Sequence, residues 1–455
     1  MLDAERQDQR VLDWVGGVPD RWEVHSLGSQ LAANKSSNKG LVEPRVLSLS
    51  HGRVIVKPLE KLRGLVPESF ETYQIVEPGD IVIRPTDLQN DHTSLRVGQS
   101  MHRGIITSAY ICLRPTGSLN HRYASYLLAA YDFMKVFYGF GSGLRQNLDV
   151  KHIKHIPIPV PGLEEQGQIV RYLDHAELRI TNAIAAKQKL VALLNEHRST
   201  VIDSLVLRGL DASVKTNESN SAWMGNIPEH WEAVPSKSLF AHRKERSRPG
   251  DEMLTASQSR GILKRDEFMA LEGRRVMQVV VGADILKHVE PNDFVISMRS
   301  FQGGLEWSNV RGCISSAYVM LIPGPKVHCE YFALLLKTKA YVSALRTTSD
   351  LIRDGQALRY SNFCQLQLPL PPLEEQRRIA DYVAEKIKNI DRAITPVLAE
   401  IAFLKQYRTR LISDVVMGKL DVREEAAKLP EIDPMELATA AIGENGDDEE
   451  ATDDD

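Results

Sequence analysis

Pro161-Gly162-Leu163-Glu164-Glu165-Gln166, leading into Ile169, returns as Pro371-Pro372-Leu373-Glu374-Glu375-Gln376, leading into Ile379. Both copies follow an extended, proline-spaced run, Ile156-Pro157-Ile158-Pro159 and Leu368-Pro369-Leu370-Pro371, and both open a long helical pattern. A period of roughly 210 residues is far too long for a solenoid, so it denotes two whole domain-plus-helix units in tandem.

The duplication reaches upstream. Trp14-Val15-Gly16-Gly17-Val18-Pro19-Asp20-Arg21-Trp22-Glu23 matches Trp223-Met224-Gly225-Asn226-Ile227-Pro228-Glu229-His230-Trp231-Glu232. Val76-Glu77-Pro78-Gly79-Asp80-Ile81-Val82-Ile83 matches Val289-Glu290-Pro291-Asn292-Asp293-Phe294-Val295-Ile296, and Thr107-Ser108-Ala109-Tyr110 matches Ser315-Ser316-Ala317-Tyr318. Between these anchors the halves differ freely. Each half is one scaffold with different contents, which suits two readers of two different things.

The 455 residues leave room for two or three domains with substantial cores. No apolar run is long enough to span a bilayer, and the start Met1-Leu2-Asp3-Ala4-Glu5-Arg6 is no signal peptide. The longest apolar region, Tyr123 to Phe140, is interrupted by Asp132 and Lys135 and reads as a buried amphipathic helix. Cys112, Cys313, Cys329 and Cys364 form no C-x-x-C pair, which points to free core thiols in a reducing cytoplasm. The net charge of −4 conceals an asymmetry. Residues 421–455 hold fourteen of the 60 acidic and two of the 56 basic side chains, leaving 54 basic against 46 acidic in residues 1–420. The body is mildly basic, a weak pointer to a polyanion, and the acidic tail is expected to be disordered.

Within the first half, Val46–Ser50 and Ile81–Ile83 read as strands, the second entered through the turn Glu77-Pro78-Gly79-Asp80. Ile105–Leu113 reads as one further strand, followed by a helix over 121–138. Each Leu-Glu-Glu-Gln then starts a long helix, its acidic first turn opposing the positive end of the helix dipole. Ile169, Leu173, Ile180, Ile184, Val191, Leu194, Val201 and Leu205 form a coiled-coil seam on the first helix. Ile379, Val383, Ile387, Ile390, Ile394, Val397, Ile401, Leu404, Leu411 and Val415 do so on the second. Each helix of about 45 residues would be roughly 65 Å long. The expected architecture is α+β: two duplicated α/β heads separated by an antiparallel pair of coiled-coil helices, with pseudo-twofold symmetry. The boundaries are 1–161 and 211–370 for the heads, 162–210 and 371–420 for the helices, and 421–455 for the tail. Pro396 is expected to kink the second helix or remove a backbone bond. Arg198 and Arg408 occupy equivalent seam positions, either snorkelling at its edge or pairing with acidic residues across the twofold or on a partner.

The paired Gly-x-Ile/Val-Pro-x-x-Trp segments (Gly16 to Trp22, Gly225 to Trp231), the paired helix starts and the duplication make residues 14–420 resemble the specificity subunit of a type I restriction–modification enzyme. The resemblance implies two target-recognition domains, each reading one half of a bipartite site on double-stranded DNA, in a bacterium or archaeon. It implies that two modification subunits dock on the helices and deliver S-adenosylmethionine-dependent adenine-N6 methylation. A restriction motor–nuclease subunit using ATP and Mg would join them. Four residues inserted in both helices would add about 6 Å, nearly two base pairs of unread spacer.

No centre of catalysis is expected in the chain itself. Phe137-Tyr138-Gly139-Phe140-Gly141 matches the F-x-G-x-G loop of methyltransferases, but it follows a helix rather than a strand and reads as a turn. There is no phosphate-binding G-x-x-x-x-G-K-[ST] motif and no Glu-x-Lys. His152 and His155 belong to a basic strip rather than a zinc site. Glu164, Glu165 and Gln166, with Glu374, Glu375 and Gln376, serve the helix dipole and subunit docking rather than acid–base chemistry. Arg198 and Arg408 join that docking set. A self-contained methyltransferase or nuclease lacks its motifs. A specificity subunit of another multi-subunit restriction system, and a coiled-coil adaptor with protein-binding heads, are the alternatives.

Base reading needs long polar side chains on the segments that differ between halves. In the first head these are Asn34, Lys35, Asn38 and Lys39; Arg84, Gln89 and Asn90; and Arg145, Gln146 and Asn147. In the second they are Arg243, Lys244, Arg246 and Arg248; Arg299 and Gln302; and Arg353, Gln356 and Arg359.

Overall fold

The computed structural model describes residues 17–34, 36–58, 69–88, 95–140, 147–258, 260–272, 285–297, 300–348, 359–433, 436–437 and 439–440. The chain forms two compact units, Met1–Lys189 with Val397–Asp455, and Leu190–Pro396. Each unit holds one head, the start of the long helix that follows it, and the end of the other long helix.

The heads repeat one strand plan. In the first, a four-stranded antiparallel sheet runs in the order Leu31–Ala33, Ile111–Pro115, Ile81–Ile83, Val97–Gln99. In the second the order is Phe240–Arg243, Val319–Pro323, Phe294–Ile296, Glu306–Trp307. Three two-stranded pairs also correspond: Glu23–Ser26 with Pro157–Val160 and Glu232–Pro235 with Gln367–Leu370; Leu47–Ser50 with Arg53–Val56 and Leu254–Ser257 with Gly261–Lys264; Gln74–Val76 with Gly104–Ile106 and Lys287–Val289 with Gly312–Ile314. The proline-spaced runs are therefore strands that tie the end of each head to its beginning. Proline suits such two-stranded edges because its missing N–H can face outward.

The repeated motifs are turns with identifiable chemistry. In Glu77–Asp80 the Asp80 carboxylate accepts from Glu77 N at 2.9 Å and Gly79 takes φ +91°. In Glu290–Asp293 the Asp293 carboxylate accepts from Glu290 N at 2.9 Å, and Asn292 supplies φ +75°. Thr107-Ser108-Ala109-Tyr110 corrects the expectation of one strand over Ile105–Leu113. The Thr107 hydroxyl accepts from Ala109 N at 3.3 Å, and the turn sends Gly104–Ile106 and Ile111–Pro115 into different sheets. Ser315 does the same with Ala317 N at 3.3 Å. A hydroxyl that bonds its own backbone two residues on overrides the β-propensity of the flanking isoleucines.

The long helices span Leu163–Arg208 and Leu373–Val416, and the second continues through Pro396. In the first unit Glu177 pairs with Arg408 at 3.6 Å and Lys187 pairs with Glu400, so residue numbers fall on one helix as they rise on the other. The segments run antiparallel. Ile169, Leu173, Ile180 and Ile184 share a buried cluster with Ile401, Leu411 and Val415. In the second unit Arg198 pairs with Asp391 at 3.1 Å, and Val206 shares a cluster with Ile379 and Val383. Both seam arginines thus meet an acidic residue on the opposing helix.

The expectation of disorder from residue 421 fails over the first part of that segment. Arg423–Ala426 is helical, Val422 and Ala426 are buried, His175 Nε2 meets Pro430 O at 2.8 Å, and Arg171 pairs with Glu431 at 3.4 Å. Average acidity hides apolar residues spaced to reach a core, and the Arg423 fork holds the Asp421 carboxyl down at about 2. Residues 441–455 lie outside the described set.

The four cysteines are free, with Cys112 and Cys313 buried. Burial pushes the Cys112 thiol up to about 12 and raises that of Cys313. Both should resist alkylation at pH 8 in the native protein and react once it is denatured. Mass spectrometry after a brief iodoacetamide pulse checks this, and rapid native labelling of Cys112 would contradict it. Among the described residues no helix is long and apolar enough to cross a membrane.

Candidate nucleic-acid interface and its internal clasps

The turn aspartates anchor each head, and this decides the fate of two predicted base readers. In the second head Arg243 donates from Nε to Asp293 Oδ2 at 2.7 Å and from Nη2 to Oδ1 at 3.0 Å. In the first head Asp80 receives the same fork from Arg114, on the neighbouring strand, at 2.7 Å twice. Asn34, which aligns with Arg243, adds a longer contact to Asp80 at 3.4 Å and donates to Ile75 O at 2.6 Å. Both aspartates are about 1% exposed, so each needs its counter-charge. Asn34 and Arg243 are thus engaged at the turn aspartates inside the head. Asn38 is corrected likewise, being buried with its amide bonded to Glu43 O and Glu43 N. Arg248 is exposed but engaged with Glu245 and Glu290. Single-residue chemistry suggests all four as readers; only the folded backbone reveals their carboxylate and backbone partners.

The structure leaves Lys39, Arg84, Asn147, Lys244, Arg246, Gln302 and Arg359 exposed. It brings two first-head segments together: Leu148 N donates to Pro85 O at 2.8 Å, and Asp87 N donates to Asn147 Oδ1 at 3.0 Å. Residues 36–38 join elsewhere, where Ile75 N donates to Ser36 O at 2.7 Å. In the second head Ser247 N donates to Leu286 O at 2.9 Å, while Arg359 N is capped by Asn362 Oδ1 at 3.0 Å. Lys35, Gln89, Asn90, Arg145, Gln146, Arg299, Arg353 and Gln356 lie outside the described residues.

The predicted docking set is largely internal. Gln166 is fully buried: its Oε1 accepts from Asn120 N at 2.7 Å, and its Nε2 donates to Ser118 O at 3.2 Å and Pro161 O at 2.8 Å. Gln376 repeats this with His328 N at 2.8 Å, Lys326 O at 3.0 Å and Pro371 O at 2.8 Å. Asn120 and His328 are the N-caps of helices His121–Phe133 and Cys329–Leu335, so each glutamine clasps a head helix to the long helix. Neither glutamine offers a surface to a partner. Glu165 receives Arg21 at 2.7 Å, and Glu375 receives Trp231 Nε1 at 3.1 Å and lies 2.8 Å from His230 Nε2. Glu164 and Glu374 remain exposed.

The end of a long helix closes each arrangement. Gly418, at φ +72°, lies against Pro19 and Trp22; Gly209, at φ +78°, lies against Pro228 and Trp231. The Pro-x-x-Trp segment is thus a socket for a helix terminus. Of the remaining motif residues, Phe137 is buried beside Tyr131, and His152 closes a capping box with Asp149. Among the described residues, no cluster of His, Cys, Asp and Glu could hold a metal ion.

Two unlike sets of exposed polar side chains thus sit on one repeated scaffold. Residues 103–191 match the family described as type I restriction modification DNA specificity domain. Two curated proteins of Methanocaldococcus jannaschii are similar over most of the chain. A putative type I restriction enzyme MjaX specificity subunit is 22% identical over 427 residues, covering 90% of this chain and 96% of its own. The type I restriction enzyme MjaVIII specificity subunit is 22% identical over 428 residues, covering 89% and 94%. The fold matches a chain from a solved structure concerned with complex assembly and conformational transition of the type I R-M system. That match has a TM-score of 0.61 at 14% identity, covering 89% of this chain and 100% of that one. Over most of its length the chain is thus similar to specificity subunits of type I restriction–modification systems.

Proposed function

We propose that this chain reads a bipartite, asymmetric DNA sequence, one half-site per head, and has no catalytic centre of its own. Two modification subunits dock on its helices and supply S-adenosylmethionine-dependent adenine-N6 methylation. A motor–nuclease subunit, using ATP and Mg, adds restriction in the cytoplasm. The observation that carries the reading is the strand-for-strand match of the heads, which differ in their exposed Lys39, Arg84 and Asn147 against Lys244, Arg246, Gln302 and Arg359. Phosphate and base contacts need such side chains on a rigid frame. Docking is supported by large apolar side chains left exposed on the long helices: Leu190, Leu193, Leu398 and the stacked pair Phe403 and Tyr407.

Long-read modification sequencing of the host genome, with and without this gene, tests the proposal. Deletion should erase one asymmetric, two-part N6-methyladenine motif. An unchanged methylome, together with no sequence-specific DNA binding by the purified complex, would sink it.

A further inference from the structure

We infer that Arg96 is a positioning residue for the half-site read by the first head, setting the shape of the reading loop from beneath it. The inference rests on the heads being DNA readers. Arg96 is about 4% exposed, yet its guanidinium faces a cluster of backbone carbonyls. It donates to Arg84 O at 3.2 Å, to Asp87 O at 2.8 Å and to Thr86 O. Its own backbone is fixed at both ends: O accepts from Arg84 N at 2.9 Å, and N donates to the buried Asp132 carboxylate at 2.8 Å. Asp132 belongs to helix His121–Phe133, so the loop is tied to the core of the head.

The held loop is strained. Asp87 sits at φ +56°, a left-handed conformation uncommon outside glycine, and its N–H is met by Asn147 Oδ1. Strain of this kind persists only where the surroundings over-determine it. A buried guanidinium that serves three carbonyls is such a surrounding, and it leaves the Arg84 side chain exposed on the outer side. Residues 147–148 are bonded to this loop through Leu148 N to Pro85 O and Asp87 N to Asn147 Oδ1, so in shaping residues 84–87 Arg96 arranges two candidate reading segments together. A preordered loop loses less entropy on binding and holds its donors in one geometry. The second head solves the equivalent turn differently: its strand Phe294–Ile296 leads to helix Ser300–Gly303, where Ser300 Oγ accepts from Ser297 N at 2.8 Å.

Arg96→Lys and Arg96→Met, each in the full-length chain assembled with its modification subunits, test the inference. Binding is measured on duplexes carrying single substitutions at every position of both half-sites. Lysine keeps the positive charge beneath the loop but not the planar fork that serves three carbonyls. Both variants should lose discrimination on the order of tenfold at one half-site and keep it at the other. Equal loss at both half-sites, or unchanged discrimination in a folded variant, overturns the role. If the methionine variant does not fold, the lysine variant decides. A wild-type complex with no discrimination at either half-site would refute the DNA-reading function itself, which is a different result.

Discussion

Gln166→Ala should destabilise the first unit by about 3–4 kcal/mol, with Gln376→Ala doing the same in the second. Each glutamine is fully buried and satisfies one N–H and two carbonyls. Truncation strands all three groups in a space too confined for full hydration, at about 1–3 kcal/mol each before relaxation. Glutamate in place of Gln166 should be at least as harmful, because a carboxylate would face Ser118 O and Pro161 O with nothing to donate. Equilibrium urea unfolding of the full chain reads both effects. A loss below about 1 kcal/mol for either alanine variant would show that the clasp is dispensable.

Gly418→Ala is expected to cost about 2–4 kcal/mol, whereas Gly209→Ala costs only about 1–2. Both positions need a left-handed backbone, which accounts for the common part. The difference lies in what an added methyl meets. At 418 it would come within 2.5 Å of the Pro19 ring, with Trp22 at 3.1 Å, and neither ring can turn aside. At 209 the nearest atoms are Glu375 Oε1 and Trp231 Cζ2 at 3.3 Å, and a few tenths of an ångström suffice. Matched melting curves decide the order; equal losses would mean that backbone conformation alone sets both.

Much of this protein was legible in its sequence, because duplication makes a scaffold visible by repetition. The long helices, their antiparallel seam and the turns at Asp80 and Asp293 follow from spacing and residue type. The partners of those turns do not. Arg114 and Arg243 reach equivalent carboxylates from different strands, which no linear pattern reveals. The same blindness made Asn34, Asn38 and Arg243 look like base readers and Gln166 look like a docking residue. Long polar side chains suit a groove, a partner and a buried carbonyl equally well until the fold selects one. Arg96 escaped notice for that reason: it lies in an undistinguished stretch, Ser94-Leu95-Arg96, and its role emerges only when three carbonyls turn toward it.

The unequal anchoring of the two aspartates limits how such a protein can be recombined. Grafting residues 31–39 in place of 240–248 would set Asn34 opposite Asp293, with Ile322 where the first head has Arg114. A buried carboxylate would then lack a cation. The reverse graft would crowd Arg243 and Arg114 onto one Asp80. Exchanges between the two halves must therefore be cut outside the four-stranded sheet and moved as entire heads, a grain size set by ionic bookkeeping rather than by the exposed loops.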